Sequence, residues 1–212
     1  MEKFGLAQPV RRVEDPRLLR GAGTYTDDIA PPGTAIGVVL RSPHAAARIT
    51  GIDTAAAKAI SGVLAVYTAA DLKADGIGSL PCAVSLKNRD GSPQASPPHP
   101  VLADGAVHHV GDPVAFIVAE NPRLARDAAE AISVDYDILP AITDLATATD
   151  AGAALVWPEV KQNVVFDWEI GNKEEADALF AKAAHVTRLT IVNNRIVVAS
   201  MEARAALAEY DP

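Results

Sequence analysis

The segment VGDPVAFIVAENPRLARDAAEAISVDYDILPAITD, residues 110–144, gives the clearest signal for the fold of this chain. Residues 113–120 are almost all apolar, which predicts a buried strand. Asn121 is a preferred helix cap and Pro122 suits the first helical position, so a helix should follow at once. Residues 134–138 alternate between apolar and polar side chains and predict a second strand. A strand, a helix and a strand of this length predict parallel pairing through a right-handed crossover.

The helix of this segment should run to about Ile132 and be amphipathic. Leu124, Ala128 and Ala131 recur at spacings of four and three residues, so they should form its inner face. The opposite face is expected to be solvated and carries Arg123, Arg126, Asp127 and Glu130.

The residues before this segment predict further strands and short helices. Residues 34–41 and 63–68 are apolar enough to form strands, the second of them buried. Asp53 or Thr54 can cap a short alanine-rich helix between these strands. Residues 71–74 can form at most one helical turn.

Three stretches carry turn residues instead of a helix or strand pattern. Residues 1–33 predict an extended arm, and residues 144–152 a linker with a short helical turn. Residues 76–100, rich in Gly, Ser and Pro, exceed the usual length of a connection. This long stretch is therefore predicted to be a functional or interface loop.

The carboxy-terminal part predicts one helix among three strands. Residues 163–171 and 184–193 are expected to be strands, and another should begin near Ala205. Residues 173–183 predict an amphipathic helix whose apolar side is Ala176, Leu179 and Phe180. The sheet of the final strands is expected to need partners that this chain does not supply.

Composition narrows the classes of function. The chain has 212 residues, a formal net charge of −8 and a pI of about 5.1, so binding to nucleic acid or to an anionic membrane is disfavoured. Its apolar runs are far shorter than the roughly 20 residues that span a bilayer. The first residues match no signal peptide.

Cys82 is the single cysteine, which excludes an internal disulfide and an iron-sulfur cluster held by this chain alone. A single cysteine fits a reducing cytoplasm. A nearby cation could make the thiol reactive, but Lys87 is the nearest one in sequence, so a half-buried, inert thiol is preferred.

Several other residues are candidates for chemistry. Gly21 and Gly23 resemble part of a dinucleotide fingerprint, although no strand precedes them. Imidazoles and carboxylates can bind zinc, but the spacing of this set fits no structural zinc site, so solvated or interface histidines are preferred. The set is His99, Asp104, His108, His109 and Asp112.

Three further features have competing interpretations. His44 is predicted to be a turn residue packed against a larger body. Asp167 and Glu169 alternate along their segment and so lie on one side of it. They are interpreted either as a pair of acids for catalysis or as part of a solvated outer face. Glu202 and Arg204 either anchor the start of a domain through charge-assisted hydrogen bonds or form an exposed link.

Three ordered blocks, together with the end of the chain, carry a resemblance to a known family. The blocks are RRVEDPRLLRGAGTYTDDI at 11–29, RSPHAAARI at 41–49 and the segment 110–144, and they resemble the large subunits of molybdenum hydroxylases. This family comprises xanthine dehydrogenase, aldehyde oxidase and aerobic carbon monoxide dehydrogenase. Residues 195–211 resemble the start of its molybdopterin-binding domain, with Arg195, Met201, Glu202 and Arg204 as candidate domain-start or interface residues.

The resemblance implies an α/β (α+β) fold, an a/b hammerhead domain with a mixed sheet and packed helices, followed by an incomplete start of a second α/β domain. It further implies an arm at 1–33, the hammerhead domain at 34–144, a linker at 145–162 and the truncated second domain at 163–212.

The resemblance also implies a function for the completed enzyme. The implied enzyme is an oxidoreductase acting on aldehydes, N-heterocycles or carbon monoxide. Its implied partners are the polypeptide with the remaining molybdopterin domain and the FAD and iron-sulfur subunits of the complex. The residues that face the molybdenum pterin cofactor in this family lie downstream, so no catalytic, cofactor-binding or metal residue is assigned here. The chain is expected to supply scaffold and interface in the cytoplasm and to be inactive alone. The alternative is a noncatalytic hammerhead module or a truncated inactive product.

Overall fold

The computed structural model describes residues 11–193, 196, 199–200 and 203–211. Contacts divide the chain into two compact units, residues 1–34 with 187–212 and residues 35–186. In the first unit, helix α1 spans Asp15–Leu18 and a 3₁₀ turn spans Thr26–Asp28. All the remaining helices and strands belong to the second unit.

The second unit contains six strands and four α-helices among its described residues. The strands are β1 Ile36–Arg41, β2 Ala47–Asp53, β3 Val63–Thr68, β4 Ala106–Val107, β5 Pro113–Ala119 and β6 Ser133–Ile138. The helices are α2 Ala55–Lys58, α3 Ala69–Ala74, α4 Pro122–Glu130 and α5 Lys173–Lys182, and a 3₁₀ turn spans Lys161–Asn163.

The strands form two antiparallel sheets of three strands each, in the orders β1-β5-β3 and β4-β2-β6. The predicted parallel pairing of the strands that flank α4 is therefore wrong. Strand β5 is already paired on both edges, since Ala119 lies opposite both Ile36 and Val63. It has no free edge left for β6, which pairs with β2 instead. Helix α4 thus connects two different sheets.

Strand β5 contributes side chains to both hydrophobic cores. Successive side chains of a strand point to opposite faces. Ala115 and Ile117 therefore pack in one cluster and Val114 in the other. The first cluster also contains Ala57, Val66, Ala128 and Ile132, and the second contains Ala47, Ala103 and Val107. The predicted buried strand is confirmed, and it is the central strand of its sheet.

Helix α4 begins where the sequence predicts. The Asn121 side chain accepts a hydrogen bond from the backbone N–H of Leu124 at 3.0 Å, and Pro122 occupies the first turn. The buried residues are Ala125 and Ala128, with Leu124 and Ala131 only partly covered. The buried face is therefore rotated slightly about the helix axis from the predicted face. Small residues at these positions let α4 lie close to the first sheet.

Two glycines lie in close contact with side chains of neighbouring elements. A Cβ at Gly37 would lie 2.5 Å from Cζ of Phe116, whose ring covers that position from β5. Gly62 has a φ of +87°, and a Cβ there would lie 2.6 Å from Cδ1 of Leu124. A side chain at either position would displace packed atoms, and at Gly62 it would also strain the backbone.

The predicted short helices are present with small changes in length. Thr54 precedes α2, and the Asp53 carboxylate accepts a hydrogen bond from the N–H of Ala55 at 2.9 Å. Helix α3 begins two residues earlier than predicted and, with six residues, is longer than the single turn expected, because Thr68 is its N-cap and Asp71 completes a capping box. The Asp71 carboxylate accepts hydrogen bonds from the N–H and the hydroxyl of Thr68, which lower the pKa of Asp71.

The three strands predicted in the carboxy-terminal part are wrong within the described residues. Residues 163–171 bond to the 88–95 loop instead of a strand. Leu189, Ile191 and Val192 are about four-fifths exposed, so no described strand covers their segment. Residues 205–211 are likewise exposed and irregular. An apolar alternation becomes a strand only when another strand pairs with its edge.

Within the part of the chain that the structure describes, no helix combines the length and the apolar character that crossing a bilayer requires.

We expect Ile117→Ala to lower the free energy of unfolding by about 2–5 kcal/mol, because it leaves a cavity at a wholly buried position of β5. Urea denaturation followed by circular dichroism measures this change. Leu64→Ala on neighbouring β3, where the side chain is 58% exposed, is the matched control and should cost much less. Equal losses in the two variants would contradict the central role of β5.

Candidate interface surface

The 76–100 stretch is a long loop with a defined tip. Lys87 and Pro93 form an isolated antiparallel bridge, and the N–H of Asn88 donates to the Ser92 carbonyl at 2.8 Å. The Asp90 carboxylate accepts hydrogen bonds from the N–H and the hydroxyl of Ser92, and these bonds lower the pKa of Asp90. The loop therefore presents a small folded tip.

Arg89, at this tip, binds two carboxylates from a distant part of the sequence. Its guanidinium donates to Oδ2 of Asp167 from Nε at 3.0 Å and from Nη2 at 2.5 Å. Its Nη1 donates to Oε2 of Glu169 at 3.0 Å. These two hydrogen-bonded carboxylates raise the pKa of Arg89. One cation thus binds both Asp167 and Glu169, so the face that they share is more than a solvated one.

Backbone hydrogen bonds hold the same two segments together. The N–H groups of Arg89 and Ala95 donate to the carbonyls of Asp167 and Val165, at 2.9 and 2.8 Å. The N–H of Asp167 donates to the side-chain oxygen of Asn88 at 2.8 Å. The Asn88 side chain thus accepts a hydrogen bond that the backbone carbonyl of a neighbouring strand would accept in a sheet. Because a side chain replaces the backbone of a partner strand here, residues 163–171 form no regular strand.

The segment 164–170 separates its charges from its apolar side chains. The carbonyls of Val165 and Asp167, two residues apart, both accept hydrogen bonds from the 88–95 loop. This spacing is that of an extended chain, in which alternate side chains share a face. Asp167 and Glu169 lie on the face that Arg89 binds. Phe166, Trp168 and Ile170 alternate with them and are 47%, 55% and 79% exposed. This face is uncharged and open to solvent.

Helix α5 follows directly and exposes a second set of apolar side chains. The predicted helix is confirmed, with the Asn172 side chain accepting a hydrogen bond from the N–H of Glu175 at 3.0 Å. Leu179 and Phe180, on the predicted apolar side, are about two-thirds exposed. Lys173 pairs with Asp177, which raises the pKa of Lys173, and the charges of Glu169 and Arg89 also reach Lys173. The helix therefore begins beside the Arg89 cluster.

A second polar cluster surrounds His108. Its imidazole stacks on the ring of Trp157, with centroids 3.7 Å apart and planes 14° from parallel. The Asp112 carboxylate accepts a hydrogen bond from the backbone N–H of His108 at 2.9 Å and lies 3.6 Å from Nδ1 of His109. Burial lowers the pKa of His108, against the opposing charges of Asp112 and Glu159.

Asn163 and Trp157 hold the linker segment in place. The Asn163 side chain accepts from the N–H of Val156 at 2.9 Å and donates to the carbonyls of Ala148 and Ala154 at 2.8 and 2.9 Å. Val160 in the same segment is buried. The stretch that was predicted to be a linker is therefore a compact turn region.

The predicted histidine set is only partly gathered. His108, His109 and Asp112 lie together, whereas Asp104 pairs with Lys73 at 2.6 Å. Across the described ranges, no group of three His, Cys, Asp or Glu side chains could hold a metal ion.

The other candidates have simple environments. His44 contacts Tyr136 edge to face, with centroids 4.8 Å apart. Cys82 is exposed rather than half-buried, and its thiol donates to the Val84 carbonyl at 3.1 Å. Its loop lies outside both cores, which is why the predicted burial is wrong. Gly21 follows α1, not a strand.

The residues proposed for the start of a second domain fall mostly outside the described part of the chain. Arg195, Met201 and Glu202 are not among the described residues. Arg204 is described and exposed. Their assignment stays a prediction.

The surface cleft lined by residues 150–153, 155, 158–159 and 161–162 does not fit a molybdenum pterin cofactor. Its volume is about 390 Å³, and its charged groups are Asp150, Glu159 and Lys161. Two carboxylates against one cation are a poor match for the phosphate that such a cofactor carries. No step of catalysis is therefore assigned to these residues.

Arg89 and Trp157 are functional candidates that the sequence pattern missed. Arg89 lies in a loop without periodicity, and its partners are some 80 residues away in sequence. The alternation of Asp167 and Glu169 was the available signal, because two acids on one face call for a cation. Trp157 sits beside a proline in a turn-rich stretch, where no pattern indicates a stacking partner.

Comparison with known proteins gives a consistent result. The sequence profile described as "aldehyde oxidase and xanthine dehydrogenase, a/b hammerhead domain" matches residues 20–140, more than half of the chain. The carbon monoxide dehydrogenase large chain of Afipia carboxidovorans is 38% identical over 98% of this chain and 26% of its own length. The nicotine 6-hydroxylase large subunit of Paenarthrobacter nicotinovorans is 32% identical over 97% of this chain and 24% of its own length.

Solved structures agree with these sequence matches. Reconstituted carbon monoxide dehydrogenase from Oligotropha carboxidovorans superposes with a TM-score of 0.70 and 39% identity, over 83% of this chain and 22% of that one. Aldehyde oxidoreductase from Desulfovibrio gigas gives a TM-score of 0.66 and 28% identity, over 82% and 19%. The chain thus spans about a quarter of the length of the relatives it matches, and corresponds to the amino-terminal region of their large subunits.

We expect Arg89→Ala to loosen the loop tip from residues 163–171, because the two carboxylates lose their shared cation. Hydrogen exchange should become faster at the amides of Arg89, Ala95 and Asp167, while β5 stays protected. Arg48→Ala, which removes another exposed ion pair, with Asp137, is the matched control and should leave these three amides unchanged. Unchanged exchange in Arg89→Ala would contradict the clamp.

We expect the stability of the fold to fall as pH is lowered from about 7.5 to about 5.5. Burial lowers the pKa of His108 below its ordinary 6.5, so the unfolded chain binds a proton that the folded chain does not. The loss should begin near the unfolded pKa and level off below the folded one. Melting temperatures across this range measure it.

The control for this pH dependence is the neighbouring histidine. His108→Gln should flatten the dependence of melting temperature on pH, whereas His109→Gln, at a 58% exposed side chain, should keep it. The same slope in His108→Gln and in the unmodified chain would exclude His108 as its source.

Proposed function

The chain belongs to the aldehyde oxidase and xanthine dehydrogenase family, and from this membership we propose that it forms the scaffold and interface part of a molybdenum hydroxylase large subunit. The observation that carries the proposal is the match of residues 20–140 to the hammerhead domain. Those residues include the whole of β5, which contributes to both cores, and the whole of α4, which packs in the first.

The proposed activity is that of the completed enzyme. Relatives are named as carbon monoxide dehydrogenase, nicotine 6-hydroxylase and the molybdenum-binding subunit of xanthine dehydrogenase. We propose an oxidoreductase of this kind, acting on an aldehyde, an N-heterocycle or carbon monoxide. The molybdenum pterin cofactor would supply the two-electron chemistry from a site formed by other parts of the large subunit. This chain's own residues would fix the position of those parts.

The partners follow from the same proposal. The relatives' names describe large chains and subunits of complexes. We propose that FAD and iron-sulfur subunits complete the enzyme in the cytoplasm. The start of the molybdopterin-binding domain would follow the second unit, with Arg195, Met201, Glu202 and Arg204 at its beginning.

We expect molybdenum to accompany the chain only when the rest of the enzyme is present. The chain carries an amino-terminal tag in its source cells, and molybdenum in the purified product is measured by elemental analysis. The isolated 212-residue chain, expressed alone, should contain none, since its described residues offer no metal cluster. The product from source cells should contain nearly stoichiometric molybdenum.

The controls for this experiment separate the two functions considered. Source cells grown without molybdate should yield the same polypeptides without the metal. A product from molybdate-grown cells that lacks both molybdenum and other polypeptides of the family would contradict the proposal and favour a noncatalytic hammerhead module.

A further inference from the structure

The turn region that follows β6 makes its hydrogen bonds within itself. We call residues 144–164 the strap. The Asn163 side chain accepts from the N–H of Val156 and donates to the carbonyls of Ala148 and Ala154, and all four residues belong to the strap. Among the described residues, no hydrogen bond and no ion pair joins the strap to another part of the chain. The strap is therefore a self-contained piece of the second unit.

The chain on either side of the strap is attached to other elements. Before it, the N–H of Leu139 donates to the Ala46 carbonyl at 3.0 Å. After it, the carbonyls of Val165 and Asp167 accept hydrogen bonds from the 88–95 loop. Because the strap's own hydrogen bonds do not cross to another element, it can move away from its neighbours without breaking the hydrogen bonds of either sheet.

An aromatic contact attaches the middle of the strap. Trp157 stacks on the imidazole of His108, which directly follows β4, with ring centroids 3.7 Å apart. Only 21% of the His108 side chain is exposed in this contact. Val160, three residues beyond Trp157, is buried as well. The stack is thus a link between the strap and the end of β4.

The stack is a poor environment for a charged imidazole. Burial lowers the pKa of His108, and the nearby charge of His109 lowers it further, while Asp112 and Glu159 oppose this shift. The Oδ2 atom of Asp112 lies 3.9 Å from Nδ1 of His108, beyond hydrogen-bond distance, and it already accepts the backbone N–H of His108. The two acids therefore do not replace the water that a protonated ring would lose, and a proton favours a state in which this ring is solvated.

We propose that the stack of His108 on Trp157 is a proton-sensitive latch, which holds the strap closed while the imidazole is neutral and releases it when the imidazole is protonated. The change is local, since both sheets keep their hydrogen bonds. In the open state the ring is exposed and regains its ordinary pKa of about 6.5, so it binds a proton more tightly than in the closed state. Lowering the pH from about 7.5 to about 5.5 therefore shifts the population from closed to open.

Quenching of Trp157 fluorescence by acrylamide tests the latch. The chain contains two tryptophans, so Trp168→Phe leaves Trp157 as the single probe in the full 212-residue chain. Acrylamide is uncharged, and its approach to the indole does not depend on the charge of the protein. The rate constant for quenching, obtained from intensities and lifetimes together, should rise several-fold between about pH 7.5 and about pH 5.5. Far-ultraviolet circular dichroism should stay unchanged over this range.

Variants of His108 in the same chain separate the proton from the ring. His108→Phe keeps an aromatic ring that cannot be protonated, so quenching should stay slow at every pH in the range. His108→Gln removes the ring, so quenching should be fast at every pH. His109→Gln, at a 58% exposed side chain, is the matched control and should keep the pH dependence.

Four results would overturn the latch. The first is a constant rate of quenching in Trp168→Phe, as expected if Trp157 held the imidazolium through a cation–π contact. The second is the same rise with falling pH in His108→Phe, which would place the sensor at another group. The third is a loss of circular dichroism in parallel with the rise, because the change would then be global unfolding. The fourth is a pH-dependent rise in His108→Gln, which decides the question even where His108→Phe does not fold.

Discussion

The antiparallel pairing of β5 on both edges is the constraint on which the rest of the second unit depends. With β1 and β3 on its two sides, β5 satisfies its backbone within one sheet and leaves no edge for a further strand. Its two faces bury different side chains, Ala115 and Ile117 in one core and Val114 in the other. The two sheets are consequently connected in two ways. The side chains of β5 pack in both cores, and α4 links β5 of one sheet to β6 of the other.

This arrangement shows which parts of the fold could be predicted from the sequence. The cap at Asn121, the first-turn Pro122 and the apolar run of β5 are local signals, and each predicted its element correctly. The partner of β6 is not a local property. A strand, helix and strand read as a parallel unit only if the first strand has a free edge, and the residues that occupy both edges of β5 lie far away in sequence.

The candidate interface shows the same limit in another form. The apolar side of α5 was readable from the spacing of Leu179 and Phe180, but their exposure was not, because burial depends on what else is near. Asp167 and Glu169 were recognisable as two acids on one face, whereas Arg89 was hidden in an irregular loop. The histidines were a weaker signal still. His108 meets an aromatic ring, not a metal set, and nothing in the spacing indicated Trp157.

The contact between Phe116 and Gly37 links two positions that are distant in sequence. The aromatic ring on β5 occupies the space in which a side chain at position 37 of β1 would begin. The two positions consequently share one fixed volume. A side chain at position 37 therefore requires either that the Phe116 ring moves aside or that a smaller residue replaces it. The two positions thus report on the register between β1 and β5, because only that register brings the ring over position 37.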